Sequence, residues 1–343
     1  ASYSRYYQKH LIMRILVIRL SSIGDIILTQ SVVAELRELF PDAEIYFLCK
    51  PEYQALPELF GLNLKIIPYS KSFSWHINLT KQSYDLVIDL HNKFSTWLIR
   101  NLIRSHKKAI YNKQHKLRKR IVRGNHSISI ESTVRLYYSA LEKLFPDKFS
   151  STYSIRYPVL HPELIPEEIE ITPRIYPDRK LIALFPGAAH NTKIWQIDNW
   201  KKLIEDCHNE YEFRIYGNQS DYELTRSLNA VFDDVKNLCG KLNLRQLTAE
   251  INACDAIISG DTGPMHLAAA LRKTQIAIFG GTHPRLGFAP LNDKAIVLTA
   301  DLACQPCSLH GRNKCPKGTF ECMKQITPEM VEKALENIFI EDN

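Results

Sequence analysis

The chain has 343 residues, of which 45% are hydrophobic and 24% charged, which is ordinary for a globular protein of two domains. No apolar run approaches the roughly 20 residues of a membrane-spanning helix, and no secretory signal is visible, so we expect a cytoplasmic protein. The net charge of +7 is unevenly placed, because the segment Arg100–Arg123 is rich in lysine and arginine and holds no acid. Such a segment favours a polyanionic partner, with a merely solvated basic surface as the alternative.

The first half of the chain reads as strands that alternate with helices. Apolar runs predict strands over residues 15–18, 44–49, 65–67 and 85–90, and residues 26–39 show helical spacing. This alternation predicts βαβ units and a parallel sheet that is buried on both faces. Residues 1–12 are interpreted as a leader or a native extension, with Met13 opening the first strand.

The turn after the first strand holds Ser21, Ser22, Gly24 and Asp25. Open α/β sheets bind ligands at the carboxyl ends of their strands, so this turn is a candidate site. Asp25 either caps the following helix or acts as a general base toward an acceptor hydroxyl. The chain has neither a GxGxxG fingerprint nor a Walker loop, which argues against a dinucleotide oxidoreductase and a P-loop enzyme.

A proline-rich stretch then separates two halves of similar texture. We predict a linker over residues 166–179, between an N-terminal domain at 13–165 and a C-terminal domain at 180–343. The second half has apolar strands at 181–185, 212–216, 256–258 and 275–279, a helix at 199–207 capped by Asp198, and a last helix at 327–338 capped by Thr327. The predicted fold class is α/β, with two Rossmann-like domains and a ligand cleft between them.

The segment SGDTGPMH, residues 259–266, stands between a strand and an alanine-rich helix. Pro264 suits the first helical position, and the next N–H groups, with the helix dipole, form an anion site. Thr262 and His266 add donors, Gly263 permits close approach, and Asp261 suits the hydroxyls of a sugar. The pattern predicts a site for a phosphate that carries a sugar, with a structural turn as the alternative.

Two further charged residues follow strand ends in the second half. Lys193, in the loop PGAAHNTKIW, suits a diphosphate, although such a lysine is commonly a surface residue. Glu223, after YGNQSDY, can accept hydrogen bonds from a ribose or simply begin a helix.

Eight cysteines are unevenly spread along the chain. Cys49, Cys207, Cys239 and Cys254 stand in apolar or helical contexts and are expected to be buried thiols. The other four, Cys304, Cys307, Cys315 and Cys322, are spaced so that they could hold a structural zinc ion. Reduced thiols and disulfides stay as alternatives, and no catalytic metal is expected.

Together these segments resemble glycosyltransferase family 9, the heptosyltransferases of lipopolysaccharide core assembly. The resemblance rests on RILVIRLSSIGDIILTQ, LFPGAAHNTKIWQIDNW, YGNQSDYE, SGDTGPMHLAAAL and IAIFGGTHPRLGFAP, in this order. It implies a GT-B fold and an inverting, metal-independent transfer of heptose from ADP-heptose. Gln196 departs from the proline that many members have, and the GGTHPRLGFAP loop is not the commonest form, which leaves the donor sugar open.

The resemblance also implies residue roles. Asp25 matches the general base, Lys193 the lysine on the donor diphosphate, Glu223 the acid near the ribose and Asp261 the acid that contacts the sugar. Thr262, Gly263 and His266 match the phosphate-binding helix start, and Ser21, Ser22 and Gly24 line the acceptor side.

The implied partners are an ADP-sugar donor and an anionic glycolipid acceptor of the lipid A–Kdo type, at the inner face of the cytoplasmic membrane. The basic segment Arg100–Arg123 is the predicted contact with the acceptor or with the membrane surface. The alternatives are a family member using another nucleotide sugar, a nucleotide-sugar epimerase on a GT-B frame, and a non-catalytic sugar-nucleotide binder. Nucleic acid is not an expected partner, because no RNA-binding aromatic motif or zinc-finger spacing is present.

Overall fold

The computed structural model describes residues 12–229 and 232–340, so the predicted leader at 1–12 lies, apart from Ile12, outside the described residues. The chain divides into two compact units. The first contains the residues up to Lys113 together with Val134–Arg156, and the second contains Gln114–Thr133 together with the residues from Tyr157 onward. Each unit is a parallel sheet covered by helices.

The first unit has a five-stranded parallel sheet in the order β3-β2-β1-β4-β5. Residues 15–18 of its central strand are apolar and buried, as the sequence predicts, and Ile15 pairs with Ile45 on one side and Leu86 on the other. The four strands expected here are confirmed, and β5 is an additional one. The strands are β1 (Arg14–Ile18), β2 (Glu44–Cys49), β3 (Leu64–Pro68), β4 (Ser83–Asp89) and β5 (Arg104–Ile110); the helices of this part of the chain are α1 (Ile23–Leu39), α2 (Ala55–Glu58), α3 (Phe73–Thr80) and α4 (Phe94–Leu102).

Two helices follow β5 in the chain, α5 (His115–Val122) and α6 (Thr133–Leu144). They belong to different units, because α5 groups with the second unit and all of α6 after Thr133 groups with the first. Tyr137 and Tyr138 of α6 are fully buried. The first unit is therefore built from two separate stretches of chain.

The second unit has a six-stranded parallel sheet in the order β11-β10-β9-β6-β7-β8. Its core gathers Trp195, Trp200 and the inward side chains of the strands and of the last helix. The four strands predicted here are confirmed; the sequence analysis missed β8 and β11. The strands are β6 (Lys180–Phe185), β7 (Tyr211–Ile215), β8 (Lys236–Asn237), β9 (Ala256–Gly260), β10 (Thr274–Phe279) and β11 (Ala295–Thr299); the helices are α7 (Ile197–Cys207), α8 (Gln219–Asn229), α9 (Leu244–Ala253), α10 (Gly263–Ala270), α11 (Glu321–Lys324) and α12 (Pro328–Ile340).

Helix starts differ in part from the predictions. Helix α7 begins at Ile197 and its cap position is Gln196, so the predicted Asp198 cap is wrong, and Asp198 lies in the first turn, where an acid still complements the helix dipole. The Thr327 cap is confirmed, because its Oγ1 accepts a hydrogen bond of 3.4 Å from Met330 N. Helix α1 begins at Ile23, three residues earlier than expected.

The predicted linker, residues 166–179, is fastened to the second unit. Glu250 accepts a hydrogen bond of 2.6 Å from Thr172 N, and Glu212 accepts bonds of 2.8 and 2.9 Å from the backbone of Ile175 and Tyr176. Arg214, fully buried, pairs with Glu212 at 2.8 Å and with Glu250 at 3.3 Å. The backbone of this segment is therefore hydrogen-bonded to a buried cluster of charged side chains.

Among the described residues, no helix combines the length and the apolar character needed to cross a membrane.

Candidate functional site

Each sheet has one point at which the direction of its strand order reverses. In the first unit the point lies between β1 and β4, and in the second it lies between β6 and β9. At such a point, the loops that follow the two neighbouring strands run to opposite faces of the sheet. A crevice therefore forms between them at the carboxyl ends of the strands. Asp25 follows β1, while Lys193 follows β6 and Asp261 follows β9, so the principal predicted residues fall at these two points.

Asp25 has several charged and polar neighbours. Its Oδ2 lies 2.5 Å from Arg19 Nη2 and accepts a 3.1 Å hydrogen bond from Ser22 Oγ. Its Oδ1 accepts a 3.2 Å hydrogen bond from the Tyr137 hydroxyl. Asp25 is the third residue of α1, and Ser22 is the cap position. The carboxylate thus caps the start of the helix and remains 28% exposed. A capping role and the predicted role as a general base are therefore compatible.

Arg19 is the buried partner that holds Asp25 in place. Its Nε donates to Ser21 O at 2.7 Å and its Nη1 donates to Leu90 O at 2.5 Å. Burial alone would lower the pKa of Arg19, but Asp25 and the neighbouring tyrosines raise it above its ordinary value. Arg19 is therefore a fixed cation that orients the carboxylate. Sequence reasoning missed it, although an arginine ending an apolar strand needs a buried partner.

Tyr137 completes this group from α6. Its ring lies 5.6 Å from the Arg19 guanidinium carbon and 4.9 Å from the ring of Tyr111. Burial raises the pKa of Tyr137 well above its usual value, so its hydroxyl stays a donor to Asp25. No local signal pointed to Tyr137, because it lies 112 residues from Asp25 in the chain.

More positive charge gathers at the loop after β4. His91 is buried, and burial, followed by the charges of Arg19 and Lys93, lowers its pKa to about 3. Lys113 Nζ donates to Asn92 O at 2.7 Å, and burial, followed by Arg19 and Lys93, lowers its pKa too. A neutral imidazole and three nearby cations beside Asp25 make this edge of the sheet suited to an anionic group.

The basic segment Arg100–Arg123 is divided between structural and exposed residues. Arg100 pairs with the buried Asp89 at 2.7 Å, and Lys108 donates to the carbonyls of Arg100 and Ile103. Arg118 is buried and donates to Leu286 O at 3.2 Å. The segment also crosses from the first unit to the second after Lys113. It is thus not one continuous solvated patch.

In the second unit, Lys193 and Asp261 form an ion pair. Lys193 Nζ lies 3.0 Å from Asp261 Oδ2, and the two side chains are only 14% and 7% exposed. Lys193 O also lies close to Gly260, since a Cβ at that glycine would be 3.0 Å from it. The structure thus brings together two residues that the sequence placed in different loops.

The loop that carries Lys193 is held from two sides. Gly281 N donates to Thr192 O at 2.7 Å, and Arg312 N donates to Thr192 Oγ1 at 2.8 Å. Gly311 has a φ of +100°, and a Cβ there would lie 2.8 Å from His190 Cβ and 2.9 Å from Lys193 Cδ. The cysteine-bearing loop, residues 300–320 between β11 and α11, therefore supports Lys193 directly. The sequence analysis did not predict this role.

The start of α10 differs slightly from the prediction. The helix begins at Gly263 with Thr262 at the cap position, so Pro264 is its second residue. A helix that starts there leaves the N–H groups of Gly263 and Met265 without intrahelical partners, while the N–H of His266 already enters the helix ladder. The free backbone N–H groups that the predicted anion site requires are therefore those of Gly263 and Met265, and not that of His266. The His266 side chain is buried in the same turn.

Glu223 lies apart from this group of contacts. Its side chain is 70% exposed and pairs with Arg226 at 3.3 Å within α8. Asp221, two residues earlier, lies instead against the strand-end loops: Cβ atoms at Gly187 and Gly217 would come within 3 Å of it. Burial raises the pKa of Asp221. The two glycines that follow β6 and β7 were the available signal for this close approach.

The four C-terminal cysteines gather in space without forming a metal site. Burial and the charges of Cys307, Cys304 and Cys315 raise the pKa of Cys322 to about 11. Burial alone would raise the pKa of Cys315, but hydrogen bonds from the N–H groups of residues 317–320 hold that pKa below its usual value. Within the described parts of the chain no group of three or more His, Cys, Asp or Glu side chains is placed to hold a metal ion, so the zinc prediction is unsupported. All eight cysteines are free thiols, and Cys49, Cys207, Cys239 and Cys254 are buried as expected.

Comparison with known proteins identifies the family. The model of glycosyltransferase family 9 (heptosyltransferase) matches residues 73–316. The chain belongs to this family. It is similar to lipooligosaccharide heptosyltransferase 2 of Campylobacter jejuni, with 25% identity over 92% of this chain and 95% of the relative.

Solved structures of the family share the fold. The E. coli ADP-heptose LPS heptosyltransferase II has a TM-score of 0.74 at 22% identity, covering 96% of this chain and 99% of that one. The E. coli heptosyltransferase WaaC, solved with ADP, has a TM-score of 0.69 at 18% identity, covering 95% and 100%. The GT-B prediction and the family resemblance are thus confirmed, and this chain is a glycosyltransferase-family protein of two Rossmann-like units.

Proposed function

We propose that this chain is an inverting glycosyltransferase that moves a heptose from ADP-heptose to a lipopolysaccharide-core acceptor of the lipid A–Kdo type. The observation that carries the proposal is the placement of Asp25 and of the Lys193–Asp261 pair at the reversal points of the two sheets. Membership in a heptosyltransferase family, and the ADP bound in the solved WaaC structure, support the donor. The first unit takes the acceptor and the second takes the donor.

On the acceptor side, Asp25 is the proposed base. The Arg19 guanidinium, the Tyr137 hydroxyl and the Ser22 hydroxyl fix the direction of the carboxylate. The acceptor hydroxyl gives its proton to Asp25 as its oxygen bonds to the anomeric carbon. Ser21, Ser22 and Gly24, which adjoin Asp25 in the chain, are the proposed residues of the acceptor side.

On the donor side, the bond between the anomeric carbon and the diphosphate oxygen breaks, and ADP leaves with its electron pair. Lys193 and the N–H groups at the start of α10 stabilise the charge that develops on the diphosphate. Thr262, Gly263 and His266 belong to this turn, and Asp261 accepts hydrogen bonds from the sugar. Glu223 is the proposed ribose contact, and its exposed position leaves it available to a ligand.

The acceptor is an anionic glycolipid, and the positive edge around His91, Lys93 and Lys113 supports its recognition. A lipid acceptor places the enzyme on the inner face of the cytoplasmic membrane, as a peripheral protein in the cytoplasm. The transfer uses no cofactor and no metal, because Lys193 and the helix start supply the charge stabilisation that a metal gives in other transferases.

The test is a panel of ADP- and UDP-sugars, first by thermal stabilisation and then by transfer to a lipid-free core oligosaccharide. We expect ADP-heptose to raise Tm most and to be consumed only when the acceptor is present, with inversion at the anomeric carbon. A UDP-sugar that is converted without an acceptor would identify an epimerase instead. ADP-sugar binding without transfer to any core acceptor would identify a binder.

A further inference from the structure

Helices α3 and α4 pack on the same face of the first sheet. Their inward side chains share a single core cluster, to which α3 contributes Leu79 and α4 contributes Ile99, followed by Ile103 at its end. The side chains on the opposite side of each helix face outward. Those outward positions are unusually apolar: Phe73 is 81% exposed, Ile77 40%, Phe94 80%, Trp97 49%, Leu98 40% and Leu102 45%.

The aromatic pair on α4 is ordered at this surface. The rings of Phe94 and Trp97 are stacked, with centroids 5.7 Å apart and an interplanar angle of 16°. Globular proteins rarely leave several large apolar side chains exposed together unless the surface meets a partner or a membrane. Tryptophan and phenylalanine beside leucine are typical of surfaces that enter the boundary between lipid headgroups and acyl chains.

The charge around these helices favours an anionic partner. The stretches 70–84 and 90–123 contain no Asp or Glu. Exposed basic side chains flank both helices, namely Lys71, Lys81, Lys93, Arg104 and Lys107. An apolar face that is rimmed by cations and lacks acids matches an anionic phospholipid surface.

The position of this face suits the reaction proposed above. Helix α3 begins after the carboxyl end of β3, and α4 begins after the carboxyl end of β4. Phe73 and Phe94, the first residues of these helices, therefore lie toward the same edge of the sheet as Asp25. A bilayer that receives these side chains would present the headgroup of a glycolipid at the edge where the proposed base stands.

We propose that the outer face of α3 and α4 is a membrane-docking surface that inserts Phe73, Phe94 and Trp97 into an anionic phospholipid bilayer. Its use in presenting the acceptor rests on the proposed function, but binding to the bilayer does not require that function. The surface differs from the basic segment Arg100–Arg123, since most of its exposed apolar side chains precede that segment in the chain.

The test is co-sedimentation with vesicles of phosphatidylethanolamine and phosphatidylglycerol, compared with vesicles of phosphatidylcholine alone. The full chain should bind the anionic vesicles and bind the neutral ones at least about tenfold more weakly. The triple variant Phe73→Ser, Phe94→Ser, Trp97→Ser should lose binding to the anionic vesicles by at least about tenfold. The control carries Leu164→Ser and Met330→Ser, two similarly exposed apolar residues of the second unit, and should bind as the unaltered chain does.

Tryptophan fluorescence gives a second readout. Trp195 and Trp200 are buried and Trp75 packs against Tyr69, so Trp97 is the tryptophan that vesicles should affect most. We expect a blue shift on vesicle binding that Trp97→Phe removes while binding persists. This outcome would separate insertion of the helix face from attraction by the surrounding charges alone.

Transfer to a lipid-free acceptor separates this proposal from the proposed function. The triple variant should retain that transfer within about twofold while losing vesicle binding. The docking surface would be overturned if the triple variant bound vesicles as the unaltered chain does. It would also be overturned if the triple variant lost binding but the emission of Trp97 in the full chain did not change when vesicles bind. A dimer that the triple variant abolishes, with no vesicle binding by the full chain, would assign the face to a second copy. Vesicle binding without any transferase activity would instead retain the surface and remove the proposed function.

Discussion

Arg19 and Asp25 form an ion pair of 2.5 Å in which the arginine is almost fully buried and the aspartate is not. Two backbone carbonyls accept hydrogen bonds from Nε and Nη1 of Arg19, and these bonds hold the guanidinium in place beside the carboxylate. The consequence is a carboxylate with a fixed anchor and one exposed side. A proton acceptor needs this arrangement to meet an incoming hydroxyl in a defined direction.

Replacing the carboxylate should abolish proton transfer without removing the donor site. We expect Asp25→Asn to lower kcat by ~10²–10⁴-fold, the usual range for loss of a general base, and to leave ADP affinity nearly unchanged. Its Tm should also fall, because Arg19 loses its counter-charge. Asp42→Asn, at an exposed turn of the same unit, is the matched control. Turnover within a few-fold of normal in Asp25→Asn would remove the base assignment.

In the proposed mechanism, Lys193 binds the diphosphate and Asp261 binds the sugar, so variants of the two residues should differ. Lys193→Ala should weaken ADP affinity by about tenfold or more, since a largely desolvated charge contact to the diphosphate is lost. Asp261→Asn should keep ADP affinity or strengthen it, because Lys193 is released from its partner, yet it should lower transfer of the sugar. Calorimetry with ADP and steady-state kinetics with the sugar nucleotide distinguish the two. Equal losses of ADP affinity in both variants would contradict this division of roles.

Support of Lys193 by the cysteine-bearing loop can be tested with two glycines. Both Gly311 and Gly318 have positive φ, but a Cβ at Gly311 meets His190 and Lys193 whereas a Cβ at Gly318 meets nothing within 4 Å. Gly311→Ala should therefore raise the KM for the donor several-fold, while Gly318→Ala imposes similar backbone strain without that effect. Matching changes in donor KM in the two variants would show that strain alone, and not displacement of Lys193, is responsible.

Acid should destabilise the first unit through His91. The folded pKa of about 3 lies below the ordinary value of 6.5, so the unfolded chain takes up a proton first as the pH falls. Stability from the neutral imidazole is complete above about pH 6.5 and is lost between there and pH 3, by at most about 1.4 kcal/mol per pH unit. Denaturant unfolding at several pH values should show a shallower decline in His91→Gln. The exposed His106, whose side chain is 81% accessible, provides His106→Gln as the control; a similar change in both would refute the role of His91.

The fold was largely predictable because its central strands are continuous apolar runs. β5 was missed because it is an edge strand with the sequence RSHKKAI, and an edge needs little apolar content. β11 lies at the edge of the other sheet, and its run AIVLT was readable but was not interpreted as a strand. Local patterns also could not show that α5 and α6, which neighbour each other in sequence, pack in different units.

The candidate site was predictable where the chemistry lies in strand-end loops. Asp25, Lys193 and Asp261 follow strands whose neighbours are fixed by the parallel topology. Tyr137 and Gly311 could not be found in this way, because tertiary packing brings Tyr137 to Asp25 and Gly311 to Lys193 from distant segments of the chain. Glu223 was singled out by its place after a strand end and by the resemblance, whereas it is Asp221 that the strand-end loops enclose.

The chain passes between its two units after Lys113, after Thr133 and after Arg156. An exchange of halves between relatives, made to trade acceptor preference for donor preference, therefore cannot be a single crossover. A cut at the proline-rich stretch alone would carry residues 114–133 with the wrong parent, and a cut at Lys113 would separate Tyr137 from Asp25, which accepts its hydrogen bond. Hybrid enzymes of this family would have to be joined at three places to keep each parent's half intact.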